Sequence, residues 1–457
     1  MDLQITPKTR ADPLVIEHSR ILNAAGHRQM CRFALASALG TRQVGEVTPT
    51  PSRLAVFLAA TTPPRMATLV CLTGLSLLSL NIYLPSLAHM AEALEVDYAV
   101  VNASISGYLI LTGVLQLIIG PLSDRYGRRP LILIGSAVFA VASVGCALST
   151  DIVWFLAFRA LQGAVISGSA LSRAVVRDLY PAQEAASRLG YLSMAMALAP
   201  LLGPALGGAL DAWISWRASF WCLAIIGGLL FAICWTDLGE TNKTPSATFA
   251  DQFRDYPELF GSRRFWGYAF CMMFSTGVFF IFIGGAPLVA ATHFNLTPGE
   301  IGIYLGATPL GFLAGSAVSG RYASRLPLIT MILIGRSTTV VGVSAGLLLM
   351  TSGIVSAEVM FGSAVFVGIG NGLSMPSTTA GALSVRPRLA GSASGLAGAM
   401  LVGGGGVLNW LSGAIQSEIP SVLALFGLMV TASVLALAAA LYVQYVNRLE
   451  AQATVAD

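Results

Sequence analysis

Charge is what this sequence has least of. Asp, Glu, Lys and Arg together make up 11% of its 457 residues, where a soluble chain carries about 25%. That shortage excludes a string of water-soluble domains, because too few polar side chains remain to cover their surfaces. It also excludes a disordered chain, which needs high net charge and little apolar content. No Gly-x4-Gly-Lys-Ser/Thr loop occurs, so an ATP-driven pump of the P-loop kind is set aside. No His-Glu-x-x-His pattern and no Ser/His set points to a membrane enzyme. The six Cys residues form no Cys-x-x-Cys pair, and five stand inside apolar runs, as small buried hydrophobes do. The four His residues are scattered. No metal, no other cofactor and no nucleic acid is expected.

What is abundant is apolar length. Hydrophobic residues reach 55% and Gly numbers 48, with a mean hydropathy of +0.74. Residues 1–65 hold eight Lys/Arg but no run of membrane length. Leu54–Ala60 is too short to cross a bilayer, and the following Thr-Thr-Pro-Pro stretch breaks a helix. This segment reads as a weakly ordered cytoplasmic extension, with a start at Met66 as the alternative.

From Met66 the apolar segments recur near 66–87, 101–122, 130–149, 152–174, 188–210 and 217–236, then near 265–289, 301–322, 328–350, 355–381, 390–414 and 421–446. Each is about twenty residues, the length a helix needs to cross roughly 30 Å of hydrocarbon. The expected fold is an all-α membrane protein of twelve transmembrane helices in two six-helix pseudo-symmetric halves. The halves cover 66–237 and 264–448, joined by a cytoplasmic loop over 238–263 and followed by a tail over 449–457. Runs this long do not alternate, which excludes a β-barrel.

The loops split the basic residues unevenly. Even-to-odd loops and the C-terminus carry fifteen Lys/Arg, and odd-to-even loops carry only Arg217. The richer side belongs in the cytoplasm, with both termini. Arg159 and Arg336 alone stand inside spans away from their ends, where a charge needs a reason. The halves also look like distant copies. Gly120-Pro-Leu-Ser-Asp-Arg-Tyr-Gly-Arg-Arg-Pro130 after the second span is echoed by Gly320-Arg-Tyr-Ala-Ser-Arg-Leu-Pro327 after the eighth. Repeats of six spans rocking about a midplane site are a transporter device.

Gly120–Leu131 resembles the loop signature of the major facilitator superfamily, with Gly120, Leu122, Asp124, Arg125, Gly127, Arg128, Arg129 and Leu131 all in place. The resemblance implies a latch on the cytoplasmic gate: Asp124 facing the start of the eleventh span near Gly391, and Arg128 reaching Asp178. Asp124 and Arg128 are also spaced to pair along one helix, and Gly120 would let two helices approach closely. Further motifs are similar to those of the Bcr/CflA-type drug exporters. Phe158-Arg-Ala-Leu-Gln-Gly163 fits the arginine-bearing fourth span, with Gln162 on the same face as Arg159. Ala199–Gly208 fits the antiporter motif of the fifth span. There Pro200 and Pro204 bend the helix, Gly203 and Gly207 form a close-packing face, and Gly208 follows. The likeness extends over about residues 66–446. It departs at Asn81, where these relatives usually carry Asp. Asn cannot titrate, and all 22 acids lie in the tail, loops or span ends.

The reading is a secondary transporter of the bacterial inner membrane. It exports small amphipathic compounds such as antibiotics, with protons as the coupling ion, lipid around it and no second copy. A metabolite importer or facilitator on the same fold is the alternative. Polar side chains on apolar spans mark Asn81, Tyr83, Tyr108, Gln116, Arg159, Gln162, Tyr304 and Asn371 as candidates for the cavity lining. Asp211 and Glu358 are the candidate proton carriers.

Overall fold

In lipid every backbone N–H and C=O must find its partner inside the protein, and a helix meets that need within a single apolar run. The computed structural model describes residues 64–180, 182–242, 256–322, 325–386, 390–418 and 420–456, and among them there is no β-strand. Residues 1–63 of the expected extension, 243–255 of the expected connector and Asp457 of the tail lie outside the described residues.

The chain runs through α1 (Met66–Asn81), α2 (Leu87–Ala93), α3 (Tyr98–Tyr126), α4 (Arg128–Leu148), α5 (Ile152–Gln162), α6 (Ile166–Leu179), α7 (Ala182–Trp213) and α8 (Trp216–Asp237). After a short α9 (Tyr256–Phe260) come α10 (Arg263–Phe294), α11 (Pro298–Leu305), α12 (Ala307–Tyr322), α13 (Leu328–Thr351), α14 (Ala357–Ser384), α15 (Ala390–Glu418) and α16 (Val422–Ala456). The expected spans fall on these helices. Three of them are interrupted. Pro85 sets a 3-10 turn between α1 and α2, Gly163–Val165 does the same between α5 and α6, and a break at Gly306 separates α11 from α12. Eleven of the resulting segments are long and apolar enough to cross a membrane. The remaining expected span, the fifth, lies on α7, a helix of 32 residues.

The expected loop over 238–263 is partly helical. In α9, Glu258 pairs with Arg386 at 3.1 Å, and Trp266 Nε1 donates to Phe260 O at 2.9 Å. Arg65, the last residue of the expected extension, is held to the body: its backbone N–H donates to Asp237 Oδ2 at 2.9 Å, beside Thr68 Oγ1 at 2.6 Å.

α3 packs on α15, and α7 packs on α1 and α11. α10 packs on α14, α15 and α16, while α4 packs on α8. Phe155, Trp216 and Phe220 meet edge to face with centroids 5.4–6.1 Å apart, inside the largest apolar cluster. The outward surface is apolar too. Val141 is 70% and Leu348 68% exposed, a surface suited to lipid tails rather than water. Two ends of the molecule matter below, the Gly127 end, where α3 hands over to α4, and the Asp211 end, where α7 finishes.

Candidate functional site

At the Gly127 end the chain must turn between two helices without a gap. Gly127 takes φ 94°, a backbone region that only Gly enters freely. A Cβ there would also strike the Glu240 carboxylate. That carboxylate accepts the backbone N–H groups of Arg128 at 2.9 Å and Arg129 at 3.1 Å. These are the first donors of α4, unsatisfied within the helix and at the positive end of its dipole. Glu240 thus caps α4 from the segment that follows α8.

Arg128 bridges Asp124 at 2.7 Å and Asp178 at 3.2 Å and also donates to Ser123 Oγ. Arg129 donates to Leu238 O at 2.7 Å and lies over the Trp235 ring. Asn242 Nδ2 donates to Asp124 O at 2.8 Å, and the Arg125 guanidinium lies over Tyr126. The structure therefore gathers Asp124, Arg125, Gly127, Arg128, Arg129 and Asp178 at one end. It adds Ser123, Glu240 and Asn242, which sequence reasoning missed. The pair of acids just past the sixth span, Asp237 and Glu240, was the available signal. Gly120 departs from expectation: a Cβ there would meet nothing within 4 Å. The close approach lies about two turns earlier, where a Cβ on Gly113 would stand 3.0 Å from Ala399 O.

Between the ends, Arg159 is 1% exposed. Its Nη1 donates to Gln162 Oε1 at 2.5 Å and Ser79 O at 3.3 Å, and its Nη2 donates to the Tyr83 hydroxyl at 3.0 Å. The guanidinium carbon lies 4.5 Å from the Tyr83 ring centroid and 4.6 Å from that of Tyr108. Gln162 in turn donates to Ser143 Oγ at 2.7 Å, and Tyr108 meets Ser79 Oγ at 2.9 Å. No carboxylate is among these partners. Two ring faces and neutral acceptors hold the charge, and Nε has no hydrogen-bond partner among the described residues.

Arg336 repeats the arrangement elsewhere, also 1% exposed. Its Nη2 donates to Gly370 O at 2.7 Å, Asn371 Oδ1 at 2.9 Å and Ser374 Oγ. Of the expected cavity residues, Tyr83, Tyr108, Arg159 and Gln162 form one enclosed network, and Asn371 belongs to the second. Asn81 bonds its own helix at Leu77 O, 2.7 Å away. Gln116 stands beside Gly398, between α3 and α15. Tyr304 stacks on Phe361 at 4.8 Å and reaches Glu358 at 3.4 Å.

At the Asp211 end the backbones close on one another. A Cβ on Gly207 would run into Ile82 O, and one on Gly208 into Pro298 O. Pro204 presents its carbonyl to Gly302, and Gly203 lies against Asn81. Pro200 and Pro204 stand within α7. This seam joins α7 to the start of α11. Elsewhere, where α3 meets α10 and α15, Tyr98 donates to Gly284 O at 2.8 Å, Asn102 to Asn409 O at 3.1 Å, and Asn409 to Ser106 Oγ at 2.8 Å. Asn102 and Asn409 are fully buried. They carried the same signal as Asn81, a polar side chain on an apolar span, and were overlooked.

Residues 69–409 match the family model described as Major Facilitator Superfamily. The chain is 32% identical to the uncharacterized MFS-type transporter YdgK of Bacillus subtilis (strain 168) over 342 residues, 74% of this chain and 85% of the relative. It is 28% identical to Multidrug resistance protein D of Escherichia coli (strain K12) over 373 residues, covering 79% and 92% of the two chains. Among solved structures, the D-xylose-proton symporter superposes with a TM-score of 0.66 at 16% identity, over 83% of this chain and 96% of that one. That last likeness speaks to the fold alone.

Proposed function

Because this chain belongs to the major facilitator superfamily, we propose that it is a secondary active transporter that exports small amphipathic compounds, antibiotics among them, in exchange for protons. In this reading α7 supplies a twelfth span, and the halves 66–237 and 264–448 alternate access to a cavity between them. The loop charges put the Gly127 end and both termini in the cytoplasm of a bacterial cell.

The observation that carries export is the likeness to Multidrug resistance protein D, which runs along 79% of the chain rather than through one motif. The geometry supports it in two places. Arg128, bridging Asp124 and Asp178 and braced by Glu240, is a latch that can break and reform, with Asp124 meeting the start of α15 near Gly391 when shut. The glycine seam of α7 is a close-fitting outer seal. Asn81, Tyr83, Tyr108, Gln116, Arg159, Gln162, Tyr304 and Asn371 become the cavity wall when these contacts rearrange.

One observation favours a second reading, an importer or facilitator. Arg159 and Arg336 are each 1% exposed, and no carboxylate stands among their hydrogen-bond partners to carry a proton. A resistance panel in a pump-deficient bacterium separates the two. Export predicts that expression raises the tolerated concentration of several unrelated antibiotics and that Asp124→Asn, at equal abundance, abolishes the gain. Unchanged tolerance across the panel, with uptake of a metabolite into whole cells, would establish the second reading instead.

A further inference from the structure

Asp211 is a buried carboxylate with little to hold it. Its side chain is 4% exposed, and Oδ2 accepts no hydrogen bond among the described residues. It stands in the last turn of α7, where the helix dipole presents its negative end. An ionised carboxylate in such a place is costly. What faces it is His89 on α2, whose Nδ1 lies 3.1 Å from Oδ2 and whose side chain is half exposed. The burial can be relieved in two ways, by an imidazolium or by a proton on the carboxyl. Each adds one proton to the pair.

The other ionisable groups on elements packed against α7 and α2 are committed or open to solvent. Glu300 on α11 closes a capping box with Thr297. Arg217 on α8 donates to Ser149 O and lies over Trp216. Tyr304 on α11 reaches Glu358, which is exposed. His293 on α10 is exposed beside Thr292, and Glu92, Glu95 and Asp97 are exposed around α2. Arg173 and Asp178 on α6, Asp237 on α8 and Arg321 on α12 lie at the Gly127 end. Of the two candidate carriers, Glu358 is exposed, and its carboxyl accepts hydrogen bonds from its own backbone N–H and from Ser356. Asp211 is the one whose side chain the fold buries.

Gly207 and Gly208 precede Asp211 by one turn of the same helix and seat α7 on Ile82 O and Pro298 O. With the seam closed the side chain is withdrawn from water, where a charge is costly; parting α7 from α11 would open it to water. We propose that Asp211 and His89 form the site that takes up a proton from the outer solution and, by taking it, closes the α7–α11 seam. A hydronium ion of the outer solution gives a proton to Nε2 of the imidazole and is left as water, while the Nδ1 proton passes to Oδ2: one O–H and one N–H bond break as one N–H and one O–H bond form. This assignment rests on the reading that the Asp211 end faces outward.

Two measurements on the full chain in lipid nanodiscs test it, and neither needs a substrate. Dicyclohexylcarbodiimide modifies protonated carboxyls in apolar surroundings, so peptide mass spectrometry should find Asp211 modified and Glu358 not. His89→Gln should move the pH midpoint of Asp211 modification by about one unit. Hydrogen–deuterium exchange over residues 201–210 and 298–306 should be several-fold slower at about pH 5.5 than at about pH 8.5, across the range where imidazole titrates. Asp211→Asn should be slow at both, and Asp211→Glu should restore the pH response. Equal modification of Asp211 and Glu358 would overturn the proposal. So would a wild-type pH response in Asp211→Asn, or, if that variant does not fold, an unmoved midpoint in His89→Gln. A pH-responsive seam in a protein that confers no resistance would leave this site standing and remove export.

Discussion

Arg159 shows how much of a site a single residue can announce. A lone Arg in an apolar run already demanded partners, and Gln162 was placed beside it by helical spacing. What the run could not say is which other spans supply the rest, because Tyr83 arrives from the turn after α1, Tyr108 from α3 and Ser143 from α4. Nor could it say that the group is enclosed rather than lining open space. Buried charges held only by neutral partners are seldom the most stable filling of a core. Arg159→Met should therefore keep or raise the thermal midpoint in detergent while abolishing transport, with both read on the same preparation. Gln162→Ala leaves the guanidinium without its shortest acceptor and should destabilise the protein by about 1–3 kcal/mol, measured by chemical denaturation.

At the scale of the element, the spans were legible because apolar length is a one-dimensional signal. Their breaks were not all legible. Pro85 marks its own turn, but the breaks at Gly163 and Gly306 depend on the packing of neighbours. α9 could not be foreseen, since five residues carry no period and its ties to Arg386 and Trp266 are tertiary. The α4 cap was hidden for the same reason, as Glu240 is over a hundred residues from the N–H groups it serves. Glu240→Ala should cost about 1 kcal/mol, the usual worth of a helix cap, and weaken the latch. Gly127→Ala should cost more, because it adds a strained φ to the collision with Glu240. Thermal unfolding of both variants in one detergent ranks them. Gly207→Ala addresses the other end. The added methyl cannot fit against Ile82 O, so a folded variant should expose residues 201–210 to hydrogen exchange and lose transport.

For the whole molecule, the all-helical class and eleven of the twelve expected spans were readable among the described residues, while the pairing of helices was not. Nothing in the apolar runs says that α3 meets α15 or that Asn102 meets Asn409. A cysteine at each of these two positions, in a background without the native cysteines, should oxidise to a disulfide and stop transport, with activity returning on reduction. Failure of the pair to form would mean that the two helices stand apart in the membrane. The two buried arginines also have different histories. Every partner of Arg159 except Gln162 precedes it in the chain, so its clamp is already made when α5 leaves the ribosome. Arg336 is made before Gly370, Asn371 and Ser374, its acceptors on α14. An unpaired Arg at the centre of a span costs about 2.5–3.5 kcal/mol on insertion. During synthesis α13 must therefore linger at the translocon, or pull its arginine toward the lipid headgroups, until α14 follows.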